Sequence, residues 1–367
     1  MKKNCSNVYL PNYSIGSDCY EEIPHVVRFY GKTAVVIGGK IALSKAKDEI
    51  LKAVENSEVE ILDFLWYGGD ATYENGDMLA ENPLVQKADM LFGVGGGRAC
   101  DTVKYVADKL DKPLFTFPTL ASNCAAVTSI SVMYNSDGTF KDYYYPKIGN
   151  HCFIHSGIIA DSPRDLLWAG IGDALSKECE AVFSSRGKSL SHTPLMGIQL
   201  SHVCTDPLVD YGAKALEDLE NGNSSYELEQ VVLDIIVSTG LVSNMTTTPD
   251  DYYYNSTLAH CVYYGSTVTE NGHNYLHGEV VSLGVLCLLQ FDGQMEEVDR
   301  LMKFNASIGL PVCFDDIKIR EDEFEKMAEK FVTTREWASR PEGVTVEAYI
   351  QAMKETNEKG RAFKAGK

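Results

Sequence analysis

Hydrophobic and polar positions follow two different patterns along the chain, and the change falls near residue 160. The first part alternates short β-branched runs with stretches of helical spacing. We expect strands over 33–39, 59–66, 90–97 and 113–119, with helices over 41–56 and 98–110. Strands that alternate with helices of this length are typical of βαβ units around a parallel sheet.

Two further patterns complete the predicted organisation. In VMYNSDGTFKDYYY (132–145), two strand-like runs flank an Asn-Ser-Asp-Gly turn, which predicts a hairpin. After CFIHSGIIAD the pattern is helical only, with long apolar stretches such as PRDLLWAGIGDALSKECEAVF, SSYELEQVVLDIIVSTGLVSNM and EVVSLGVLCLLQF. Ser162 and Pro163 supply an N-cap and a first-turn proline for the first of these helices. We therefore expect an α/β domain over 1–160 and an all-helical domain over 161–367.

Composition narrows the class of protein. The 367 residues suffice for two domains, and 44% hydrophobic residues allow a sizeable core. A net charge of −19 without a Lys/Arg cluster argues against a nucleic-acid partner. Ten scattered cysteines without a CxxC pair predict reduced thiols, not a disulfide framework. The start lacks the apolar segment of a signal peptide, and the apolar stretch 280–291 is too short to span a bilayer. We expect a cytoplasmic protein with no membrane partner.

A glycine-rich turn joins a predicted strand to a predicted helix in FGVGGGRACD (92–101). Glycines let the backbone approach a ligand closely, and the helix N-terminus favours an anion such as a pyrophosphate. Arg98 breaks the GxGxxG spacing, so an ordinary tight turn remains an alternative. The next strand ends in PTLASNCAAVTS (118–129), whose small residues leave room for a ligand at the carboxyl edge of the sheet. An ordinary polar loop is the alternative there.

Two histidines and one aspartate stand out in the helical half. His260 and His277 are 17 residues apart, with the polar turn TENGHN between them, so two antiparallel helices would bring both imidazoles to one point. Asp173 is an acid on the apolar helix AGIGDALSKECEA. Two histidines and a carboxylate are a common ligand set for a divalent metal. The alternatives are buried structural histidines and an ion pair between Asp173 and Lys177, one turn later, which would compensate the buried charge.

Four segments resemble, in order and spacing, the glycerol dehydrogenase branch of the iron-containing alcohol dehydrogenases: GVGGGRACDTVKYVA, PTLASNCAAVTSISVMYN, AGIGDALSKECEA and AHCVYYGSTVTENGHNYLHGE. The resemblance covers nearly the whole chain. It implies a Rossmann-like α/β domain and a helical metal- and substrate-binding domain, as in dehydroquinate synthase, with the active site in the cleft between them. It also implies a metal-dependent NAD(P) oxidoreductase of small alcohols and carbonyls, which we expect to be a homo-oligomer.

The resemblance assigns roles by position. A divalent zinc or iron ion would be held by Asp173, His260 and His277. The pyrophosphate loop would consist of Gly95, Gly96, Gly97 and Asp101. The nicotinamide side would be lined by Thr119, Ser122, Thr128, Ile130 and Tyr134.

Three positions depart from the pattern of the branch. Lys177 stands where iron-type members have a fourth metal ligand, so the remaining three resemble a catalytic zinc centre. Cys124 stands where glycerol dehydrogenases carry an Asp that binds the polyol, and NCAAVTSISVMYN is more similar to the bacterial hydroxycarboxylate dehydrogenases, which reduce 2-oxo acids. Gly39 and Lys40 stand where NAD-specific members carry an Asp for the ribose, which favours NADP(H).

The predicted reaction is hydride transfer between nicotinamide and a small carbonyl or alcohol, with a preference for 2-oxo acids, in which the metal acts as a Lewis acid. We expect His273 to relay the proton, Lys177 to bind the substrate carboxylate at the catalytic site, and Cys124 to contact substrate. The alternatives are a glycerol dehydrogenase that uses NAD, a dehydroquinate synthase-type lyase, a glycerol-1-phosphate dehydrogenase and a non-catalytic nucleotide-binding module. The enzymes of phosphorylated substrates need several cations, of which the motif region offers mainly Lys177.

Overall fold

The computed structural model describes residues 7–366, so the beginning of the chain, with Cys5, lies outside it. The described chain forms two compact units. The first runs to Leu166 and includes Ala215–Asn244, and the second consists of Leu167–Lys214 and the chain after Met245. The division at residue 160 stays a prediction about domains, and residues 215–244 pack within the first unit although they follow that position.

A six-stranded sheet, parallel throughout, forms the centre of the first unit, as predicted, in the order β1-β8-β5-β4-β2-β3. Its strands are β1 (Tyr13–Gly16), β2 (Thr33–Gly38), β3 (Glu60–Trp66), β4 (Met90–Val94), β5 (Leu114–Phe117) and β8 (His151–His155). β2, β4 and β5 are almost entirely buried because apolar side chains on both faces pack under helices. The pattern did not predict β1, a half-exposed edge strand of only four residues.

The predicted hairpin is also present. β6 (Ser131–Tyr134) and β7 (Phe140–Tyr144) pair antiparallel in a separate two-stranded sheet. Its turn closes through a hydrogen bond from the N–H of Gly138 to the carbonyl of Asn135, and Gly138 takes the left-handed conformation (φ +81°) that such a turn requires.

The remaining elements are helices, and after β8 the described chain contains no further strand beyond an isolated bridge between Thr247 and Tyr253. The helices are α1 (Ile23–Val27), α2 (Lys40–Val54), α3 (Tyr73–Ala80), α4 (Pro83–Lys87), α5 (Gly97–Lys109), α6 (Ser156–Ala160), α7 (Arg164–Ala174), α8 (Ser176–Ser184), α9 (His192–Ser201), α10 (Asp206–Glu220), α11 (Tyr226–Leu233), α12 (Thr239–Thr246), α13 (Leu258–Ser266), α14 (His277–Phe291), α15 (Met295–Ile308), α16 (Phe324–Phe331), α17 (Arg335–Ala338) and α18 (Val346–Lys364). The α/β sheet and the helical second part confirm the predicted fold class.

Two predicted helices are interrupted. The stretch from Pro163 to Phe183 divides at Leu175 into α7 and α8, and the Oγ of Ser176 donates to the carbonyl of Asp173 across the break. The stretch from 226 to 246 continues through a π-helical turn at Asp234–Ser238. Residues Tyr226–Thr246 are long and apolar enough to cross a bilayer, but 67% of their most apolar window is buried in the structure, as in the core helix of a soluble protein.

The cysteines match the expectation of reduced thiols. The nine cysteines in the described chain form no disulfide, and all except Cys124 and Cys179 are buried. Their burial is that of small apolar core residues.

Candidate metal centre and nucleotide-binding edge

Three turns meet at the carboxyl edge of the sheet. β2, β4 and β5 are neighbours, so the turns that follow them lie side by side. The N–H of Gly39 donates to the carbonyl of Val94 (3.3 Å), and the N–H of Gly95 donates to that of Phe117 (3.0 Å). Gly95 has φ +140°, a conformation that favours glycine. The predicted glycine turn and the predicted loop 118–129 therefore share one edge.

A small cleft of about 10 Å³ lies at the glycine turn, between the start of α5 and the loop after β5. A Cβ at Gly97 would lie 2.8 Å from the side-chain nitrogen of Asn123, so the glycine allows this side chain to lie close to the start of α5. Helix α5 has Gly96 as its N-cap, without a capping side chain. Its first N–H groups suit an anion such as a pyrophosphate.

Asp101, which the resemblance placed in the pyrophosphate loop, lies on α5 with its carboxylate buried. Its Oδ1 pairs with the Nζ of Lys104 at 2.9 Å, its Oδ2 accepts from the N–H of Val132 (3.2 Å), and both charged side chains are buried. Both carboxylate oxygens therefore have partners inside the protein, and the carboxylate helps to hold the backbone at Val132. Its place in the pyrophosphate loop stays a prediction.

Lys104 also fixes the nicotinamide-side loop. Its Nζ donates to the carbonyl oxygens of Thr128 (3.1 Å) and Ile130 (2.5 Å). The buried amide of Asn244 completes the support, because its Oδ1 accepts from the N–H of Ser129 (2.9 Å) and its Nδ2 donates to the carbonyl of Val127 (3.0 Å). The sequence analysis missed both residues, although a lysine three positions after Asp101 in an apolar helix was a usable signal.

The other predicted nicotinamide-side residues lie around this loop. Thr119 is buried just after β5, and Ser122 is half-buried. Tyr134 ends β6, where its N–H donates to the carbonyl of Ala71 (2.8 Å) and its ring lies under Arg98, 5.0 Å from the guanidinium carbon. No cofactor contact of these residues is established, and their roles stay predictions.

Gly39 and Lys40 begin helix α2, as its N-cap and first residue. The ammonium of Lys40 lies 4.5 Å from the ring centre of Trp66, at the end of the neighbouring strand β3. Lys40 is exposed and forms no ion pair in the part of the chain that the structure describes. A cation at a helix N-terminus beside an aromatic ring is suited to a phosphate group.

The second unit brings Asp173, His260 and His277 together. Their ligand atoms all lie within 4.8 Å of one another. The Oδ1 of Asp173 is 3.1 Å from the Nε2 of His277 and 3.6 Å from the Nε2 of His260. These residues come from α7, α13 and α14, and the two imidazole centres are 5.3 Å apart. The predicted set is therefore one cluster.

Glycines allow the three helices to approach closely. A Cβ at Gly278 would lie 1.8 Å from the carbonyl oxygen of Ala169, and one at Gly172 would lie 2.4 Å from the carbonyl oxygen of Gly278. A Cβ at Gly284 would lie 2.2 Å from the carbonyl oxygen of Ala259. Backbone contact between α7 and α14, and between α13 and α14, thus sets the spacing of the three ligands.

A buried carboxylate that the sequence analysis missed supports His260. Glu180 on α8 has no exposed side-chain surface, and its Oε2 lies 2.6 Å from the Nδ1 of His260. Its Oε1 accepts from the N–H groups of Thr257 (2.7 Å) and His260 (3.0 Å), at the start of α13. An acid seven residues after Asp173, on the same apolar segment, was the available signal.

The charges of the cluster stabilise one another. Burial by itself would raise the pKa of Asp173, but His277 and His260 hold that pKa well below its usual range. Burial would lower the pKa of His260, but Glu180 and Asp173 raise it to about 10. Without metal, His260 therefore carries a second proton at neutral pH, which an incoming cation would replace.

The donor set fits a divalent metal. With bonds of about 2.1 Å in tetrahedral geometry, ligand atoms lie about 3.4 Å apart. The two separations from Asp173, 3.1 and 3.6 Å, bracket this value, and all three ligand atoms lie within 4.8 Å of one another. Two neutral imidazoles and one carboxylate suit zinc and ferrous iron.

Lys177 does not pair with Asp173. Its Nζ donates to the Oδ1 of Asn255 (2.7 Å) and approaches the carbonyl of the same residue (3.5 Å). The break at Leu175 interrupts the helical spacing on which this alternative ion pair depended. The alternative of an ion pair between Asp173 and Lys177 is therefore not realised, because the two histidines compensate the charge of Asp173.

His273 and Cys124 are the remaining predicted residues, and neither is one of the three clustered ligands. His273 is exposed on a short 3-10 turn (Gly272–Asn274), so its role as proton relay stays a prediction. Cys124 is half-buried in the loop after β5, where its Cβ is 3.4 Å from the position of a Cβ built on Gly240. Its contact with substrate also stays a prediction.

Comparison with known proteins gives the same family along most of the chain. The family described as iron-containing alcohol dehydrogenase matches residues 11–155. A glycerol dehydrogenase from Thermotoga maritima is 30% identical over 308 residues, which are 81% of this chain and 82% of the relative. Hydroxycarboxylate dehydrogenase A from Escherichia coli is 32% identical over 232 residues, 63% of each chain.

A solved structure supports the fold. The crystal structure of glycerol dehydrogenase from Schizosaccharomyces pombe superposes with a TM-score of 0.85 at 24% identity, over 100% of this chain and 94% of that one. The chain therefore belongs to the iron-containing alcohol dehydrogenase family, in its glycerol dehydrogenase branch, and is a metal-dependent, NAD-linked oxidoreductase.

Proposed function

We propose that this enzyme reduces short 2-oxo acids to 2-hydroxy acids with NADPH. When bound at Asp173, His260 and His277, a divalent metal supplies Lewis-acid polarisation of the substrate carbonyl, and the nicotinamide supplies the hydride. The chain's own contribution is to hold the ligands, to orient the cofactor and to select the substrate.

The charge of Lys177 is the observation that carries the choice of substrate. The residue is 7% exposed, its partners are the neutral oxygens of Asn255, and no carboxylate pairs with it among the described residues. A buried cation without a counter-ion is costly, so an anionic ligand is favoured there. Lys177 lies four residues after the ligand Asp173. A 2-oxo acid has its carboxylate next to the reacting carbonyl, which is the arrangement that a cation near the metal would favour.

Cys124 supports the same choice. A thiol at the position of the polyol-binding Asp gives a glycerol hydroxyl no charged acceptor. Sites built to hydrogen-bond a hydroxyl discriminate strongly by such groups, so the loss is expected to weaken glycerol binding.

Lys40 supports NADPH as the cofactor. Its ammonium beside Trp66 is available to a 2′-phosphate, and Gly39 provides no carboxylate to bind the ribose hydroxyls. We propose that this pair selects NADP(H) over NAD(H).

Steady-state rates test the proposal on protein reconstituted with zinc or ferrous iron. We expect 2-oxobutyrate with NADPH to give the highest kcat/KM. The panel compares reduction of 2-oxobutyrate and hydroxyacetone by NADH and NADPH with oxidation of glycerol by NAD and NADP. A preference for glycerol with NAD would contradict both the substrate and the cofactor.

Glycerol oxidation is the second candidate. It is favoured by the glycerol dehydrogenases of Thermotoga maritima and Pseudomonas putida, which match over 82% and 96% of their own lengths, whereas the hydroxycarboxylate dehydrogenase matches over 63%. The same substrate panel separates the candidates.

We also propose that His273 relays the proton to the product oxygen, and that the enzyme is a cytoplasmic homo-oligomer. Replacement of His273 by Gln should lower kcat and remove one limb of its pH profile, while hydride transfer from bound cofactor persists. Light scattering on the full chain tests the subunit number.

A further inference from the structure

Glu180 and His260 form a contact whose protons can be assigned from chemistry alone. An ionised carboxylate only accepts hydrogen bonds, and both oxygens of Glu180 are in use. Oε1 accepts from two backbone N–H groups, so Oε2, at 2.6 Å, can only accept a proton carried on the Nδ1 of His260. Glu180 on α8 is thus bonded both to the ring of His260 and to the first N–H groups of α13.

The proton on Nδ1 determines the state of the other ring nitrogen of His260, Nε2. When the imidazole is neutral and its proton lies on Nδ1, Nε2 has a free lone pair. That Nε2 faces the Oδ1 of Asp173 at 3.6 Å, within the three-ligand cluster. From this geometry we propose that Glu180 is a positioning residue that fixes the Nδ1–H tautomer of His260 and presents Nε2 to the metal.

The inference deepens the metal site and rests on it. Outer carboxylates of this kind orient ligating histidines in many metal sites, and their loss weakens metal binding about 10- to 100-fold. Here the same carboxylate also caps α13, which has no capping side chain of its own. The carboxylate of Glu180 therefore fixes both the tautomer of His260 and the start of α13.

Glu180→Gln is the decisive variant because it inverts the tautomer. If the amide oxygen of the glutamine continues to accept from the N–H groups of Thr257 and His260, its NH₂ must face Nδ1. Nδ1 then becomes the acceptor, the proton moves to Nε2, and the lone pair is lost to the metal. The opposite orientation of the glutamine amide is unfavourable, because its NH₂ would then face the N–H groups of Thr257 and His260, which are also donors.

Glu178→Gln is the matched control. Glu178 lies on the same helix and makes the same kind of contact, from its Oε1 to the Nδ1 of His202 at 2.7 Å, but His202 is not in the cluster. The two variants therefore remove the same charge from the same helix, and only one of them touches a ligand.

Zinc affinity measured by competition with a chromogenic chelator, on metal-stripped full-length protein, tests the inference without any activity assay. We expect Glu180→Gln to bind zinc about 10- to 100-fold more weakly and Glu178→Gln to match the wild type. Equal affinity of Glu180→Gln and the wild type would overturn the role of Glu180. Equal affinity of the wild type and Asp173→Asn would show instead that the metal site itself is misplaced, and both proposals would fail.

A second measurement does not depend on the folding of the variant. Long-range ¹H–¹⁵N spectra of histidine-labelled, zinc-loaded wild-type protein should show His260 with its proton on Nδ1 and its metal on Nε2. Metal on Nδ1, or a proton on Nε2, would overturn the proposal.

Discussion

Lys177 donates a hydrogen bond from its Nζ to the Oδ1 of Asn255 at 2.7 Å, and its positive charge has no anionic partner in the described chain. The contact joins α8, which follows the helix of Asp173, to the segment that leads into α13, the helix of His260. The ammonium of Lys177 is therefore held in place by the neutral amide of Asn255, and its charge is not compensated.

Lys177→Met should reduce kcat/KM for 2-oxobutyrate about 10- to 100-fold, because a charge-assisted hydrogen bond contributes about 1.5–3 kcal/mol. The rate with hydroxyacetone, a neutral carbonyl, should change little. Asn255→Asp is the matched variant, since it keeps the lysine but supplies a carboxylate that competes with substrate, and it should show the same selective loss. Equal loss on both substrates would return Lys177 to a structural role.

Gly39→Asp should shift the cofactor preference towards NADH. The position has extended backbone (φ −72°), and a Cβ there would meet only ordinary contacts of 3.7 Å and more, so the side chain can enter without strain. A carboxylate opposite a 2′-phosphate should lower kcat/KM for NADPH about 10- to 100-fold. Gly39→Asn, neutral and of the same size, should leave NADPH use near the wild-type level, and a similar loss in both variants would point to shape as the cause.

Removal of the metal should abolish activity and lower thermal stability. An ion held by three helices binds the folded state only, so free zinc at 1,000 times its Kd stabilises by about 4 kcal/mol. Differential scanning calorimetry with and without a chelator should show the shift, and added zinc or ferrous iron should restore the melting temperature. In His277→Ala the chelator should have almost no effect on melting. A chelator effect that persists in this variant would place the metal elsewhere.

Lys104→Met should destabilise the protein by about 3–5 kcal/mol, because it leaves the buried Asp101 without its partner. The urea unfolding free energy measures this loss. Asp101→Leu combined with Lys104→Met should recover part of it, since the uncompensated charge is gone, but the carbonyls of Thr128 and Ile130 would still lack their donor. A single variant as stable as the wild type would contradict the argument.

Gly278→Ala should weaken metal binding as well as folding. The added Cβ would lie 1.8 Å from the carbonyl oxygen of Ala169, so α7 and α14 must separate, and Asp173 moves away from His277. Overpacking of this kind costs about 1–3 kcal/mol or more. Gly39→Ala serves as the control, and zinc affinity by chelator competition should fall only in Gly278→Ala.

The sequence predicted the parts of this protein that depend on local pattern. The parallel sheet, the hairpin and the proximity of His260 to His277 follow from periodicity, spacing and the resemblance. Partners across the fold were not predictable in the same way. An ion pair between Lys177 and Asp173 was the alternative that a regular helix would allow, but the helix breaks at Leu175 and Lys177 bonds to Asn255, 78 residues away.

Buried polar residues show the same limit. Glu180 was not singled out from the sequence, and the resemblance placed Asp101 in the pyrophosphate loop. Only the packed structure shows that the first is fully buried against His260 and the second is neutralised by Lys104. Pattern analysis locates charges along the chain, whereas their roles depend on which other charges they meet.

The close helix crossings at Gly172, Gly278 and Gly284 have a consequence for the choice of ion. At these crossings the carbonyl oxygens already contact the opposing backbone. The distances between the three ligand residues are therefore fixed by the helices, and side-chain motion cannot increase them much. Larger ions that need six or more oxygen ligands, such as calcium, should be rejected on size, whereas first-row ions of similar radius should exchange freely. We therefore expect the metal found in the enzyme to reflect the supply in the cell that makes it.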